Sequence, residues 1–166
     1  AAPAKPVEKP SHPCPKGSKG EGTFKKPCMA TGTSRIADVK WTGKIKKNGP
    51  PFRVTSKSDL EMLYGKIVVY FYDKAGKQLM AGEGDKARSY RSCAGRIFAG
   101  DVLKPKEKAY FYFSCVKKKH VPEGTATIEA ELKMAGFTAK GGKKKADTYW
   151  RNAELVPKER PRGGIK

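Results

Sequence analysis

Hydrophobic and polar positions alternate most regularly in residues 125–132. The apolar positions are Ala126, Ile128, Ala130 and Leu132, and the polar positions are Thr125, Thr127, Glu129 and Glu131. A period of two residues predicts a strand with one buried face and one face in water. We therefore expect a half-buried strand here, with its two glutamates exposed to solvent.

Several other segments are rich in β-branched and aromatic residues, which favours strands. They cover residues 36–41, 52–55, 65–72, 77–80 and 108–116. Turn-forming residues separate them at 48–51, 73–76, 104–107 and 122–124. Residues 86–104 hold apolar residues without a clean period, which predicts irregular strand and loop. No segment has a helical period, so the pattern predicts an all-β protein with an antiparallel β-sandwich or barrel.

Composition divides the chain into three parts. Residues 1–33 form an arm rich in Pro and Gly, residues 34–139 the β-sandwich domain, and residues 140–166 a basic C-terminal extension. We expect residues 1–27 to be extended or disordered. Residues 148–155 carry enough apolar mass to dock onto the domain, whereas the tail from residue 157 is expected to be unstructured.

The formal net charge of +20 at pH 7 favours polyanionic partners such as nucleic acid, lipopolysaccharide, acidic polysaccharide or an anionic membrane surface. Solubility explains the positive charge equally well. Lys supplies most of the excess, whereas a protein dedicated to phosphate binding usually has more Arg. The candidate polyanion-binding residues are Lys117, Lys118, Lys119, Lys143, Lys144, Lys145, Arg160 and Arg162.

The cysteines are even in number, and no two have the close spacing of a zinc ribbon or a redox motif. They are Cys14, Cys28, Cys93 and Cys115. Three pairings are possible, of which Cys14–Cys28 with Cys93–Cys115 is favoured. The alternative to a Cys14–Cys28 disulfide is a metal site formed by His12, Cys14 and Cys28, and this hypothesis is less favoured.

Disulfides fit an oxidising compartment. The small residues at positions 1–4 resemble what remains after a signal peptide is removed, although a trimmed chain would look the same. We therefore expect an exported protein that is periplasmic, at the cell surface or secreted. No stretch of about 18 apolar residues predicts a transmembrane span.

Catalytic chemistry is not indicated. His12 and His120 lie in loop-like segments without a carboxylate nearby in sequence, and no Ser sits in a nucleophile elbow. The sequence predicts no enzyme, no cofactor and no small-molecule substrate.

The aromatic residues offer a candidate protein-binding surface. Phe71, Phe111 and Phe113 are expected in the core, whereas the tyrosines beside them are more open. Tyrosines that lie outside would form an apolar surface that favours a protein partner. The candidate protein-binding residues are Tyr70, Tyr72, Tyr110, Tyr112, Tyr149 and Trp150.

The run from Tyr64 to Leu79 and the run from Leu103 to Phe111 resemble motifs of FxLYD-type immunoglobulin-like domains in bacterial exported proteins and lipoproteins. The resemblance covers roughly residues 52–132 and departs from the family at residues 81–102, which are longer and contain a cysteine. It implies an immunoglobulin-like antiparallel β-sandwich outside the cytoplasm, usually without catalysis. It supplies no functional residues.

Two hypotheses for function follow. The first is a non-enzymatic exported scaffold, an accessory subunit of an envelope or extracellular assembly with a protein partner or a second copy of itself. The second is an electrostatic binder of an anionic polymer or membrane surface. Salt weakens polyanion binding steeply, whereas a packed protein interface changes little.

Overall fold

The computed structural model describes residues 14–30, 35–82, 84–96, 103–113, 116–138 and 148–164, with the backbone alone at 93–96. The strands are β1 (Ser18–Lys19), β2 (Cys28–Ala30), β3 (Ala37–Trp41), β4 (Phe52–Ser56), β5 (Glu61–Tyr72), β6 (Gln78–Leu79), β7 (Arg91–Arg96), β8 (Lys108–Phe111), β9 (Thr127–Thr138) and β10 (Thr148–Asn152). Within these residues the helices are short 3₁₀ turns at Gly84–Lys86, Lys118–His120 and Pro157–Glu159. The all-β prediction is confirmed. No helix in the described part of the chain is long and apolar enough to cross a bilayer.

The strands form one mixed sheet that does not close. Its order is β1-β2-β10-β9-β3-β4-β8, and β5 pairs with β9, β7 and β6. In the described part of the chain every pairing of strands is antiparallel except that of β2 with β10, which is parallel. The expected purely antiparallel arrangement is therefore wrong at this one pair, where the N-terminal arm lies beside the C-terminal strand.

The centre of the sheet is the pair of β5 and β9, each of twelve residues. They pair antiparallel from Glu61 opposite Thr138 to Tyr72 opposite Thr127. Both strands are longer than the sequence pattern predicts. The register shifts once between Met62 and Tyr64 and again between Lys66 and Ile67. A shift of this kind inserts an extra residue in one strand, which changes the direction of a side chain.

One face of the sheet is buried in the main core, and we call it the inner face. The long strand β5 contributes Ile67, Val69 and Phe71, each no more than 1% exposed. Phe111 and Phe113 are buried in the same core, where the sequence predicted them. Connecting segments add Leu60, Leu103 and Val116.

The N-terminal arm is ordered from Cys14 onward, because it is tied to the sheet in two ways. The predicted Cys14–Cys28 disulfide is present, with the two Cα atoms 5.6 Å apart. Closing a loop of this length stabilises a fold by about 3 kcal/mol in the chain-entropy account. In addition, the Tyr149 backbone N–H donates to the Gly22 carbonyl at 2.7 Å. The predicted disulfide therefore supplies one of the two ties that hold residues 14–27 against the sheet.

The other predictions for cysteine and histidine have different outcomes. Because the sulfurs of Cys14 and Cys28 are bonded to each other, they do not form the alternative metal site. His12, Cys115 and the side chain of Cys93 lie outside the described residues, so the Cys93–Cys115 pairing stays a prediction.

The C-terminal segment, residues 153–164, lies across the face opposite the core, which we call the outer face. Leu155 is 6% exposed and joins Val68, Tyr70 and Tyr72 in a second, smaller cluster. The expectation that the tail is unstructured is therefore wrong up to Gly164. The physical reason is that β5 carries apolar side chains on both faces, and the outer ones require a cover.

Candidate anion-binding face

One row of paired residues crosses five strands on the outer face. Its members are Tyr70 of β5, Glu129 of β9, Lys40 of β3, Arg53 of β4 and Tyr110 of β8. Residues that are directly opposite each other in neighbouring strands point to the same side of a sheet. The row divides the outer face into a covered half around Tyr70 and Glu129 and an open half from Lys40 to Tyr110.

Arg160 of the C-terminal segment is the centre of the covered half. Its Nη2 and Nε atoms donate to Glu131 Oε1 at 3.1 Å and 3.3 Å, and its Nη1 atom donates to Glu129. The side chains of Arg160 and Glu131 are each 4% exposed. Burial opposes the charge of Arg160, but the two carboxylates outweigh it and hold the pKa of the guanidinium above its ordinary value.

Two further groups satisfy the same carboxylates. Arg35 Nη2 lies 3.2 Å from Glu131 Oε1, and the Gly163 backbone N–H donates to both oxygens of Glu129 at 3.1 Å and 3.2 Å. The prediction that Glu129 and Glu131 lie on a wetted face is therefore wrong. The alternation predicts the apolar side of β9 correctly, but the tail supplies cations that bury its polar side.

Tyr70 and Tyr72 lie beneath the same segment. The Tyr70 hydroxyl donates to the Pro157 carbonyl at 3.0 Å. The guanidinium carbon of Arg160 lies 4.8 Å from the centre of the Tyr70 ring, and that of Arg162 lies 5.4 Å from the Tyr72 ring. Burial raises the pKa of both tyrosine hydroxyls. Their rings are 0% and 3% exposed, so they are not available as a surface.

The open half carries a groove of about 710 Å³. Its lining residues are Lys40, Trp41, Thr42, Lys44, Lys46, Pro51, Arg53, Tyr110 and Tyr112. Four of them are cations, three are aromatic, and none of the described residues that line it is acidic. We call it the basic aromatic groove. The rings of Tyr110 and Tyr112 are 64% and 44% exposed.

The cations of the groove have no counter-charge within the chain as far as it is described. Among the described residues, the ion pairs do not include Lys40, Lys44, Lys46 or Arg53. Two neighbouring carboxylates on the same face have other partners: Glu129, opposite Lys40, is bonded to Arg160 and Gly163, and Asp38 of β3 pairs with Lys57 at 3.0 Å. The groove is therefore positively charged and not neutralised by the carboxylates next to it.

Strand alternation positions the groove. In β8 and the residues after it, Ala109, Phe111 and Phe113 are buried while Tyr110 and Tyr112 are exposed. In β4, Arg53 is exposed between the buried residues Phe52 and Val54. The inner positions fill the core, so the intervening positions must face outward.

The rim of the groove is a short hairpin after β3. Trp41 Nε1 donates to the Lys44 carbonyl at 2.8 Å, and Lys46 and Gly49 exchange backbone hydrogen bonds at 2.9 Å and 3.0 Å. Gly49 has φ of +109°, and a Cβ there would lie 2.5 Å from the Val116 carbonyl oxygen. This close approach places the hairpin against Lys117.

The predicted polyanion-binding residues are divided among three places. Lys117, Lys118 and Lys119 are exposed at and beside the hairpin rim. Arg160 and Arg162 lie on the covered half, where Arg160 contacts two glutamates and the Tyr70 ring, and Arg162 lies over the Tyr72 ring. Residues 143–145, which hold Lys143, Lys144 and Lys145, lie outside the described residues.

The predicted protein-binding residues are similarly divided. Tyr110 and Tyr112 lie on the open half, and Tyr149 is half-buried, with its ring 5.3 Å from that of the exposed Phe24. Tyr70, Tyr72 and Trp150 are buried, so these three cannot form the exposed aromatic surface that was considered for them. Trp150 faces the core from β10, and the two tyrosines are covered by the tail.

Sequence reasoning missed the residues that make up most of the groove, namely Lys40, Lys44, Lys46, Arg53 and Trp41. A signal for two of them was present. Lys40 lies between Val39 and Trp41, and Arg53 lies between Phe52 and Val54. A charged residue between two core positions of a strand must point to the opposite face. The pairing of β3 with β4 is needed to bring the two cations together.

His120 is the one histidine within the described residues. Its Nδ1 atom accepts a hydrogen bond from the Lys117 backbone N–H at 3.0 Å. Burial and the cations Arg91, Lys119 and Lys117 lower its pKa. The described residues contain no cluster of His, Cys, Asp and Glu that could hold a metal ion. The side chains that the open half of the outer face offers are cations and exposed aromatic rings.

Comparisons with known proteins give no relative: no protein-family model, no curated protein and no solved structure matches this chain. Function is therefore inferred from the side chains of the outer face.

Proposed function

We propose that this protein is a non-enzymatic binding protein that holds an anionic polymer in the basic aromatic groove. The observation that carries the proposal is the composition of the groove, in which four cations and three aromatic rings meet without an acidic residue among the described lining. A site of this composition attracts repeated negative charge and offers flat rings to the units that carry it.

Charge supports the proposal at long range and at contact. The net charge of +20 draws polyanions toward the protein, and counter-ions released from the polymer make binding strongly dependent on salt. At contact, Lys40 and Arg53 lie side by side across the β3–β4 pair. Lys117, Lys118 and Lys119 extend the positive surface beyond the hairpin rim, which suits an extended polymer better than a single small ion.

The two exposed tyrosines support ring stacking. Tyr110 of β8 and Tyr112, one residue beyond its end, are both exposed, and a separation of two residues in extended backbone places them about 7 Å apart on one face. Two consecutive units of a polymer can stack on rings spaced in this way, because stacking does not require a specific hydrogen-bond pattern. Cations beside the rings then contact the charged groups of the same units.

The proposal also includes the cellular location of the protein and its relation to a family. The Cys14–Cys28 disulfide supports an exported protein, since such bonds persist in oxidising compartments. The all-β fold agrees with the resemblance to FxLYD-type immunoglobulin-like domains only at the level of fold class. The two-sheet sandwich of that family therefore stays a hypothesis.

A protein partner or a second copy of the chain is the second candidate, because Tyr110 and Tyr112 expose apolar ring surface. This surface is smaller than the sequence predicted, since Tyr70 and Tyr72 are removed from it. Such an interface would persist at high salt, whereas polymer binding would not.

The test is the salt needed to elute the protein from immobilised heparin, a sulfated polysaccharide. The groove variant Lys40→Gln/Arg53→Gln is compared with Lys74→Gln/Lys77→Gln, which removes the same charge from the exposed β5–β6 hairpin. We expect the groove variant to elute at clearly lower salt and the hairpin variant to stay close to the wild type. Equal shifts in the two variants would contradict the proposal, because they would show that only net charge matters.

A further inference from the structure

A second group of cations lies on the outer face, at the side of the covered half away from the groove. Lys66 of β5 and Arg151 of β10 are both opposite Met134 of β9. The register therefore places a lysine and an arginine on either side of one methionine, with all three side chains on the same face. Arg151 also pairs with Met29 of β2, whose side chain is 38% exposed.

An irregularity in β9 adds a third cation to this pair. Lys66 is opposite Met134, but the next residue, Ile67, is opposite Leu132, so Lys133 is the extra residue of a β-bulge. The two residues on the longer side of a bulge are opposite a single partner, and bulges redirect side chains where function requires it. In a regular strand Lys133 would point away from its neighbour Met134.

The electrostatics of Lys133 agree with this geometry. Its side chain is half-buried, and burial together with the charges of Lys66 and Arg151 lowers its pKa. Among the described residues, no ion pair joins a carboxylate to Lys66, Lys133 or Arg151. The carboxylates of β9 are occupied, since Glu131 is bonded to Arg160 and Arg35, and Glu129 to Arg160.

We propose that Lys66, Lys133 and Arg151 form a second anion site, which holds one phosphate or sulfate group. Three cations crowded without a carboxylate carry a free-energy cost in the unliganded protein, and a bound oxyanion removes it. A tetrahedral oxyanion presents acceptors in several directions, so three separate donors can reach it at once. The site differs from the basic aromatic groove in grouping three cations around one methionine, and it suits a single charged group.

The site can be tested without knowledge of the natural ligand. Inorganic phosphate is added to the intact protein, and the side-chain amine signals of its lysines are followed by NMR over a range of pH. We expect phosphate to shift the Lys133 signal in a saturable way and to raise its pKa, because the anion favours the charged amine. A Lys133 signal that does not saturate, or a pKa that does not change, would overturn the proposal.

Substitutions show whether the cluster acts as a unit. Lys133→Gln and Lys66→Gln are each expected to weaken phosphate binding by about tenfold, the loss typical of one charged hydrogen bond. Lys74→Gln removes the same charge from an exposed turn and is expected to leave the phosphate affinity unchanged. If all three variants bind phosphate equally well, the cluster is not a site.

Two further probes distinguish the source of the oxyanion. Phosphatidylcholine vesicles with and without phosphatidylglycerol test a lipid headgroup, and free inorganic phosphate tests a soluble ion. Binding to anionic vesicles that is lost in Lys133→Gln but retained in Lys40→Gln/Arg53→Gln would assign the site to a membrane surface. The reverse loss would show that the groove alone binds anionic surfaces, and it would contradict a lipid headgroup as the source. If these experiments disprove the second anion site, the proposed function of the groove still stands, because the groove and the second site are tested by different variants.

Discussion

Both halves of the outer face carry tyrosine rings next to cations, but the rings are covered on one half and exposed on the other. On the covered half, Tyr70 and Tyr72 lie against Arg160 and Arg162, and on the open half Tyr110 lies beside Arg53 and Lys40. The covered rings are at most 3% exposed, whereas the open rings are 44% and 64% exposed.

Carboxylates account for the difference. The covered half has Glu129 and Glu131, which attract the cations of the tail and so bring Leu155 over the rings. The described lining of the basic aromatic groove has no acidic residue, so the cations of the tail would find no carboxylate there. A partner that supplies negative charge would make on the open half the contacts that the chain makes for itself on the covered half.

The largest expected effect is the loss of Arg160. Arg160→Met leaves Glu131 buried with Arg35 alone, and removal of one partner from a buried ion pair typically costs 3–5 kcal/mol, so we expect a loss of about 3 kcal/mol. The free energy of unfolding, measured by urea denaturation, checks this. Arg162→Met is the control, and its exposed arginine, which lies over the Tyr72 ring, should contribute no more than about 1 kcal/mol. Equal values for the two variants would mean that the tail is not held by its ion pairs.

Two adjacent glycines give a sharper test of how closely the tail approaches the carboxylates. Both have positive φ, +87° at Gly163 and +97° at Gly164. A Cβ on Gly163 would contact nothing within 4 Å, whereas one on Gly164 would lie 2.8 Å from Glu131 Oε1. We expect Gly163→Ala to cost about 1 kcal/mol from backbone strain alone, and Gly164→Ala about 2 kcal/mol in urea denaturation. Equal costs would contradict the close contact.

Ring removal on the open half should weaken binding without unfolding the protein. Tyr110→Ala is expected to reduce affinity for a single-stranded oligonucleotide by about tenfold, within the 1–3 kcal/mol that stacking on an aromatic side chain contributes per base. Isothermal titration calorimetry measures the affinity. Phe24→Ala removes an equally exposed ring outside the groove, and its affinity should equal that of the wild type. If both variants bind alike, the rings of the groove do not contact the polymer.

The covered tyrosines predict a loss of stability in alkali. Burial raises the pKa of Tyr70 and Tyr72 in the folded protein above the unfolded value of about 10. The folded state therefore keeps protons that the unfolded state releases, so the stabilisation is complete below about pH 10 and falls as the pH rises further. Urea denaturation across this range should show a smaller fall for Tyr70→Phe/Tyr72→Phe than for the wild type. Identical pH slopes would contradict the burial of these hydroxyls.

The strands were predictable from the sequence because they depend on local patterns. The division of the outer face into a covered half and an open half was not predictable in this way. The buried side of β9 follows from its alternation alone. Whether its polar side is buried or exposed depends on Arg160, which lies 29 residues beyond Glu131. In the same way, the groove requires the pairing of β4 with both β3 and β8, which no local pattern specifies. The parallel pairing of β2 with β10 joins the two arms across most of the chain, and it too is a long-range event.

The most direct test of the comparison is the chemical reactivity of the tyrosines, measured by nitration and mass spectrometry with and without heparin. We predict that Tyr110 and Tyr112 are nitrated in the free protein and are protected when heparin is bound, while Tyr70 and Tyr72 are unreactive in both states. Reactive Tyr70 and Tyr72 would show that the tail does not cover them. Tyr110 and Tyr112 that stay reactive with heparin bound would show that the open half is not the binding surface.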